Sequence, residues 1–89
     1  MESRLVNIGF GNMANAARIL AAVRPEAAPV KRMVQSAKDA GHCVDATCGR
    51  KCKSVLVMDS GHLVLSALLP ETILGRMNQD NDIRKEIQQ

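Results

Sequence analysis

Ser54-Val55-Leu56-Val57-Met58-Asp59-Ser60-Gly61-His62-Leu63-Val64-Leu65-Ser66-Ala67-Leu68 is the stretch that sets the fold class. Two apolar runs, Ser54–Met58 and His62–Leu68, flank Asp59-Ser60-Gly61. A three-residue connection ending in glycine is what a bulged β-hairpin loop prefers. An antiparallel hairpin is therefore expected in the second half of the chain.

The neighbouring segments follow from it on both sides. Downstream, Pro70 opens a short helix with Glu71 in its first turn, where a negative charge is favourable. Ile73, Leu74 and Met77 give that helix an apolar stripe, and residues 79–89 form a polar C-terminal tail. Upstream, His42–Thr47 reads as a strand and Gly49 as a turn. Pro29–Ala40 reads as a helix: Pro29 suits the first helical position, and Val30, Met33, Val34 and Ala37 recur at i, i+3, i+4, i+7. Gly41 suits its C-terminal end. Leu5–Phe10 reads as a strand running into Gly9-Phe10-Gly11-Asn12, a tight turn. Met13–Val23 is alanine-rich and leans to helix by propensity, although Arg18, Leu20 and Ala22 alternate with Ile19, Ala21 and Val23 as a strand would. The sum is an α+β domain with a small, mostly antiparallel sheet, one central helix and a short C-terminal helix.

The chain has 89 residues and one aromatic side chain, Phe10. So small a domain buries about 60–65% of its unfolded surface, and the missing aromatics thin the core further. Self-association is the expected remedy. Net charge is +3, and residues 18–53 hold eight cations (Arg18, Arg24, Lys31, Arg32, Lys38, Arg50, Lys51, Lys53) against three acids. A basic middle favours a polyanionic partner; an ordinary solvated surface is the plainer alternative. No signal-peptide pattern follows Met1, no run of eighteen apolar residues exists, and three cysteines do not make a secreted disulfide framework. The expected location is the cytoplasm, with no membrane partner.

His42, Cys43, Cys48 and Cys52 lie within eleven residues, but H-C-x4-C-x3-C lacks the C-x2-C clasp of structural zinc, so no metal and no cofactor are expected. An exposed Cys52 between Lys51 and Lys53 would have its thiol pKa lowered, which leaves a redox role as a minor alternative. Gly9-Phe10-Gly11 mimics a nucleotide-binding loop, yet that motif needs a βαβ unit with a crossover, which a hairpin-rich chain hardly accommodates. Two histidines and no recognisable nucleophile give no catalytic set, so neither an enzyme nor a small-molecule substrate is expected. Gly49-Arg50-Lys51-Cys52-Lys53 is the strongest signal: three cations in a tight loop can reach phosphates, and arginine can grip them with two hydrogen bonds. One protomer offers few such contacts, and a closed oligomer would multiply them.

Asn7-Ile8-Gly9-Phe10-Gly11-Asn12, Arg18, Pro25-Glu26-x-Ala28-Pro29-x-Lys31-Arg32, Asp45-Ala46-Thr47-x-Gly49-Arg50, Val57-Met58-Asp59-Ser60 and Pro70-Glu71-Thr72 together resemble the RemA family of bacterial biofilm-matrix regulators, over roughly residues 4 to 77. The resemblance implies a transcription regulator with a LytTR-related, strand-rich DNA-binding domain over residues 1–78, assembled into rings around which duplex DNA wraps. It implies a strand over Met13–Val23, against the local propensity. It places DNA contacts at Arg18, Arg50 and Lys51, to which charge adds Lys53 and Arg32. It gives Pro29 a part in assembly or function; Pro29 and the turn residues Gly9, Phe10, Gly11 and Asn12 are expected to be assembly or structural positions. Lys51 stands where the family more often has arginine, which keeps charge but loses the bidentate fork. Cys48 replaces a usual tyrosine, and Cys52 and Lys53 a usual threonine and arginine. A self-assembling scaffold whose basic loop recruits an acidic partner is the second reading.

Overall fold

The structure, a computed structural model, describes residues 4–78. In chain order they form β1 (Leu5–Gly9), β2 (Asn12–Asn15), a 3-10 turn (Ala16–Arg18), β3 (Ile19–Val23), α1 (Ala28–Asp39), β4 (Cys43–Asp45), β5 (Ser54–Met58), β6 (Leu63–Ser66) and α2 (residues 70–78). The expected polar tail, residues 79–89, lies outside the described residues. The α+β class stands, with two sheets instead of one: a β1–β2 hairpin and a four-stranded sheet ordered β3-β5-β6-β4.

The β5–β6 hairpin is the centre of the larger sheet, because period-two alternation makes both its faces apolar. Leu56 pairs with Val64 and faces the β1–β2 layer, with Val6, Ile8, Ala14, Ala46 and Ile73 of α2. Val55, Val57, Leu63 and Leu65 face the other way, toward Val30, Val34 and Ala37 of α1. The layers are therefore β1–β2 with α2, then sheet, then α1. Ser66 ties the first two together: its buried hydroxyl donates to the Ile8 carbonyl at 2.7 Å.

α1 begins at Ala28, one residue before the expected start, with Pro29 in its first turn. It ends at Gly41, whose φ of 77° lets the His42 amide return to the Ala37 carbonyl at 2.8 Å. All twelve α1 residues nevertheless remain half-buried or exposed. The helix lies on the sheet without being enclosed.

Two expectations change. Met13–Val23 is not a helix: β2 pairs with β1, β3 pairs with β5, and a single 3-10 turn capped by the Asn15 side chain breaks them. Alanine's preference for helix amounts to a few tenths of a kcal/mol per residue, and sheet pairing outweighs it. The extended conformation that the family resemblance implies does form, but as two strands in two sheets, not one. His42–Thr47 shortens to the three-residue β4, which runs parallel to β6. Since β6 runs antiparallel to β5, and β5 to β3, β3 and β4 point the same way on opposite edges, with α1 as their connection. A crossover does fit this chain after all, but it is not at the Gly9-Phe10-Gly11 loop.

Candidate functional site

Two loops meet at one end of the sheet. The first joins β1 to β2. Gly9, Phe10 and Gly11 have φ of 111°, 55° and 80°, three left-handed residues in succession. Glycine at position 9 is required twice over, by its φ and because a Cβ would approach Leu68 Cγ at 3.3 Å. Phe10 is the exception, a bulky residue in a region that L-residues avoid. Its side chain is half exposed, at 51%. Burying a phenylalanine contributes about 1.5–3 kcal/mol, which this aromatic-poor core forgoes.

The second loop, residues 46–53, joins β4 to β5. It is fixed to β6 at both ends: the Ala46 amide donates to the Leu65 carbonyl at 2.9 Å and the Lys53 amide to the Ser66 carbonyl at 2.8 Å. Its start is folded by Asp45, whose Oδ1 accepts from the Thr47 hydroxyl at 2.6 Å and the Thr47 amide at 2.9 Å. Those bonds, the hydroxyl's first, hold the Asp45 carboxyl below the usual carboxylate range. The Arg50 amide then closes a turn onto the Thr47 carbonyl at 3.0 Å, through Cys48 and Gly49 at φ of 53° and 78°.

Asn12 joins the two loops. Its Nδ2 donates to the Gly9 carbonyl at 3.1 Å and to the Ala46 carbonyl at 3.2 Å, and lies 3.8 Å from Cys48 Sγ. Across the same junction the Arg50 guanidinium carbon stands 5.0 Å from the Phe10 ring centroid, a cation–π distance. Arg50, Lys51 and Lys53 are all exposed. Among the described residues none of the three forms an ion pair. The result is a backbone-pinned loop end carrying three exposed cations that form no ion pair among the described residues.

The other expected contact residues are elsewhere. Arg18 sits at the far end of β5, its Nη1 on Asp59 Oδ2 at 3.1 Å and its carbonyl accepting from the Asp59 amide at 2.9 Å. From Lys53 to Met58 the strand covers about 15 Å, so one protomer does not bring Arg18 to the Arg50 loop. Arg32 is exposed on α1, and Pro29 is exposed at its start. Gly9, Phe10, Gly11 and Asn12 belong to the Arg50 end. The sequence offered one hint of this: the only aromatic residue in the chain stands between two glycines.

Gly9-Phe10-Gly11 turns between antiparallel strands and opens no helix, so it is not a dinucleotide loop. The three cysteines are free, and among the described residues no three His, Cys, Asp or Glu side chains converge as a metal site. The Cys52 expectation is corrected. Its thiol is half-buried and donates to the Ser54 carbonyl at 3.3 Å, and burial pushes its pKa up in spite of the neighbouring lysines. His42 and His62 face each other with ring centroids 5.0 Å apart, near the Arg18 end. Among the described residues no helix is long and apolar enough to cross a membrane.

Fold and site together define a small α+β protein whose distinctive chemistry stands on exposed loops, not in a cleft. The chain belongs to the RemA-like family, described as extracellular matrix regulatory protein A-like, whose model matches residues 5–77. It is 68% identical over 81 residues to a protein of Lachnoclostridium phytofermentans named as a regulatory protein, covering 91% of this chain and 89% of that one. It is 49% identical over 86 residues to extracellular matrix regulatory protein A of Bacillus subtilis, covering 97% of each chain. A regulatory protein of Bacillus cereus is 51% identical over 86 residues, covering 97% of this chain and 99% of its own.

Proposed function

We propose that this protein is a non-enzymatic, cytoplasmic regulator of extracellular-matrix genes that binds duplex DNA as a homo-oligomer. The observation that carries the reading is the Arg50 loop. Its backbone is pinned to β6 and to the β1–β2 turn, and among the described residues its three cations form no ion pair. Exposed cations on a loop whose backbone is pinned suit phosphate oxygens, which supply affinity without reading sequence. Arg18 and Arg32 add contacts where DNA runs past the loop, and an arginine entering a narrow minor groove would add shape selectivity.

Self-assembly is supported by two features. β3 is an edge strand of five apolar residues with Leu20 at 69% exposure, the kind of edge that monomers usually guard with charge or proline. α1 also leaves its apolar stripe only half covered. A closed ring of protomers would repeat the Arg50 loop around its rim and turn weak contacts into avidity.

The test is a titration into labelled duplex across a salt series, with the oligomer's mass recorded in the same buffers. Wild-type affinity should fall steeply with salt. Arg50→Ala should weaken binding to unrelated sequences alike and flatten the slope, by about 0.9 for each phosphate contact removed. Unchanged binding by a folded, assembled Arg50→Ala protein would sink the assignment. An intact oligomer that ignores duplex at low salt would favour the scaffold reading, to which the bare β3 edge also points.

A further inference from the structure

We infer that Phe10 is a positioning residue for the DNA contact, holding the Arg50 guanidinium in place without neutralising it; the inference rests on the phosphate-binding reading above. Three observations converge on Phe10. It is the only aromatic side chain in the chain, and it is half exposed while the core has none. Its backbone is held at φ 55° between two left-handed glycines, a costly conformation for a bulky residue. The group it meets there is Arg50, at 5.0 Å.

Comparison with Arg18 shows what this contact does. Arg18 is restrained by a carboxylate, with Nη1 on Asp59 at 3.1 Å, so part of its charge is answered inside the protein and one donor is engaged. Arg50 is restrained by a neutral ring. A phenyl face attracts the cation through its quadrupole and takes no N–H donor in return. The guanidinium keeps its full charge and its fork of donors for a bidentate phosphate contact. Restraint before binding lowers the side-chain entropy lost on contact. Asn12 completes the device by fixing the phenyl-bearing turn to the carbonyl of Ala46, four residues before Arg50.

The experiment is a double-mutant cycle on the assembled protein, with Phe10→Leu, Phe10→Tyr, Arg50→Ala and Phe10→Leu/Arg50→Ala each titrated into labelled duplex. Phe10→Leu should weaken binding about two- to fivefold, the range of an exposed cation–π contact converted to affinity. It should leave the salt slope unchanged, since Arg50 still meets its phosphate. Phe10→Tyr should restore wild-type affinity, and Phe10→Leu should add nothing in the Arg50→Ala background. An equal loss in that background would mean the phenyl touches DNA itself, as a wedge between base steps, and would overturn the positioning role. Weakening by Arg50→Ala with none by Phe10→Leu would overturn this inference alone. Indifference to Arg50→Ala would remove the phosphate reading and this role with it. A readout free of DNA is the proton spectrum of the Arg50 side chain. Its methylene signals should lie upfield in wild type and move back in Phe10→Leu; normal positions in wild type would refute the contact directly.

Discussion

Replacing Asn12 by alanine removes one amide that serves two loops. Its Nδ2 donates to the carbonyls of Gly9 and Ala46, at 3.1 and 3.2 Å, in a half-buried position. A hydrogen bond of this kind contributes about 0.5–1.5 kcal/mol net, and more where its acceptor is left dry. Ala46 is 7% exposed, so its carbonyl has limited access to replacement water. The expected loss is about 1–2 kcal/mol. For a domain of this size that corresponds to a fall in Tm of about 5–15 °C. Thermal unfolding followed by circular dichroism measures it, at a fixed protomer concentration because assembly shifts Tm by mass action. Asn12→Asp is the sharper control. It keeps the shape, removes both donors and sets a carboxylate against two carbonyls, so it should destabilise at least as much as alanine. DNA affinity should fall in both variants as the Arg50 loop loosens. If both variants melt within a degree of wild type, the two loops are not held together by Asn12, and the rigidity assigned to the site goes with it.

Two further outcomes test other parts of the structure. Leu20→Lys should leave the protomer folded, since the side chain is already 69% exposed, but lower the mass seen by sedimentation or light scattering; an unchanged oligomer would remove β3 from the assembly contact. Asp45 gives an acid dependence. Its carboxyl is held low by the Thr47 hydroxyl and amide, so the stability it contributes is present above the unfolded-state value of about 3.9 and is lost as pH falls below that toward the folded value. Asp45→Asn should flatten the fall in Tm below pH 4, and an equally steep fall in the variant would assign the acid sensitivity to other carboxylates.

The amino-acid sequence by itself determined whatever depends on near neighbours. The β5–β6 hairpin, α1 with Pro29 and Gly41 at its ends, the Gly9–Asn12 turn and the cationic run at Arg50 are set by side-chain period and turn chemistry within a dozen residues, and each lies within one or two residues of where it was expected. Tertiary structure decided what depends on distant partners. Alanine-rich Met13–Val23 becomes β2 and β3 because β1 and β5 offer backbone partners, and no local propensity records that. β4 runs parallel to β6 because α1 carries the chain across the sheet. The separation of Arg18 from Arg50 by the length of β5 is likewise a matter of register. The pairing of Phe10 with Arg50 and of Asn12 with Ala46 joins residues more than thirty apart, brought together only when the β1–β2 layer docks on the sheet. Sequence spacing fixes which face a side chain takes on its own element, whereas the identity of the group opposite is a property of the packed layers.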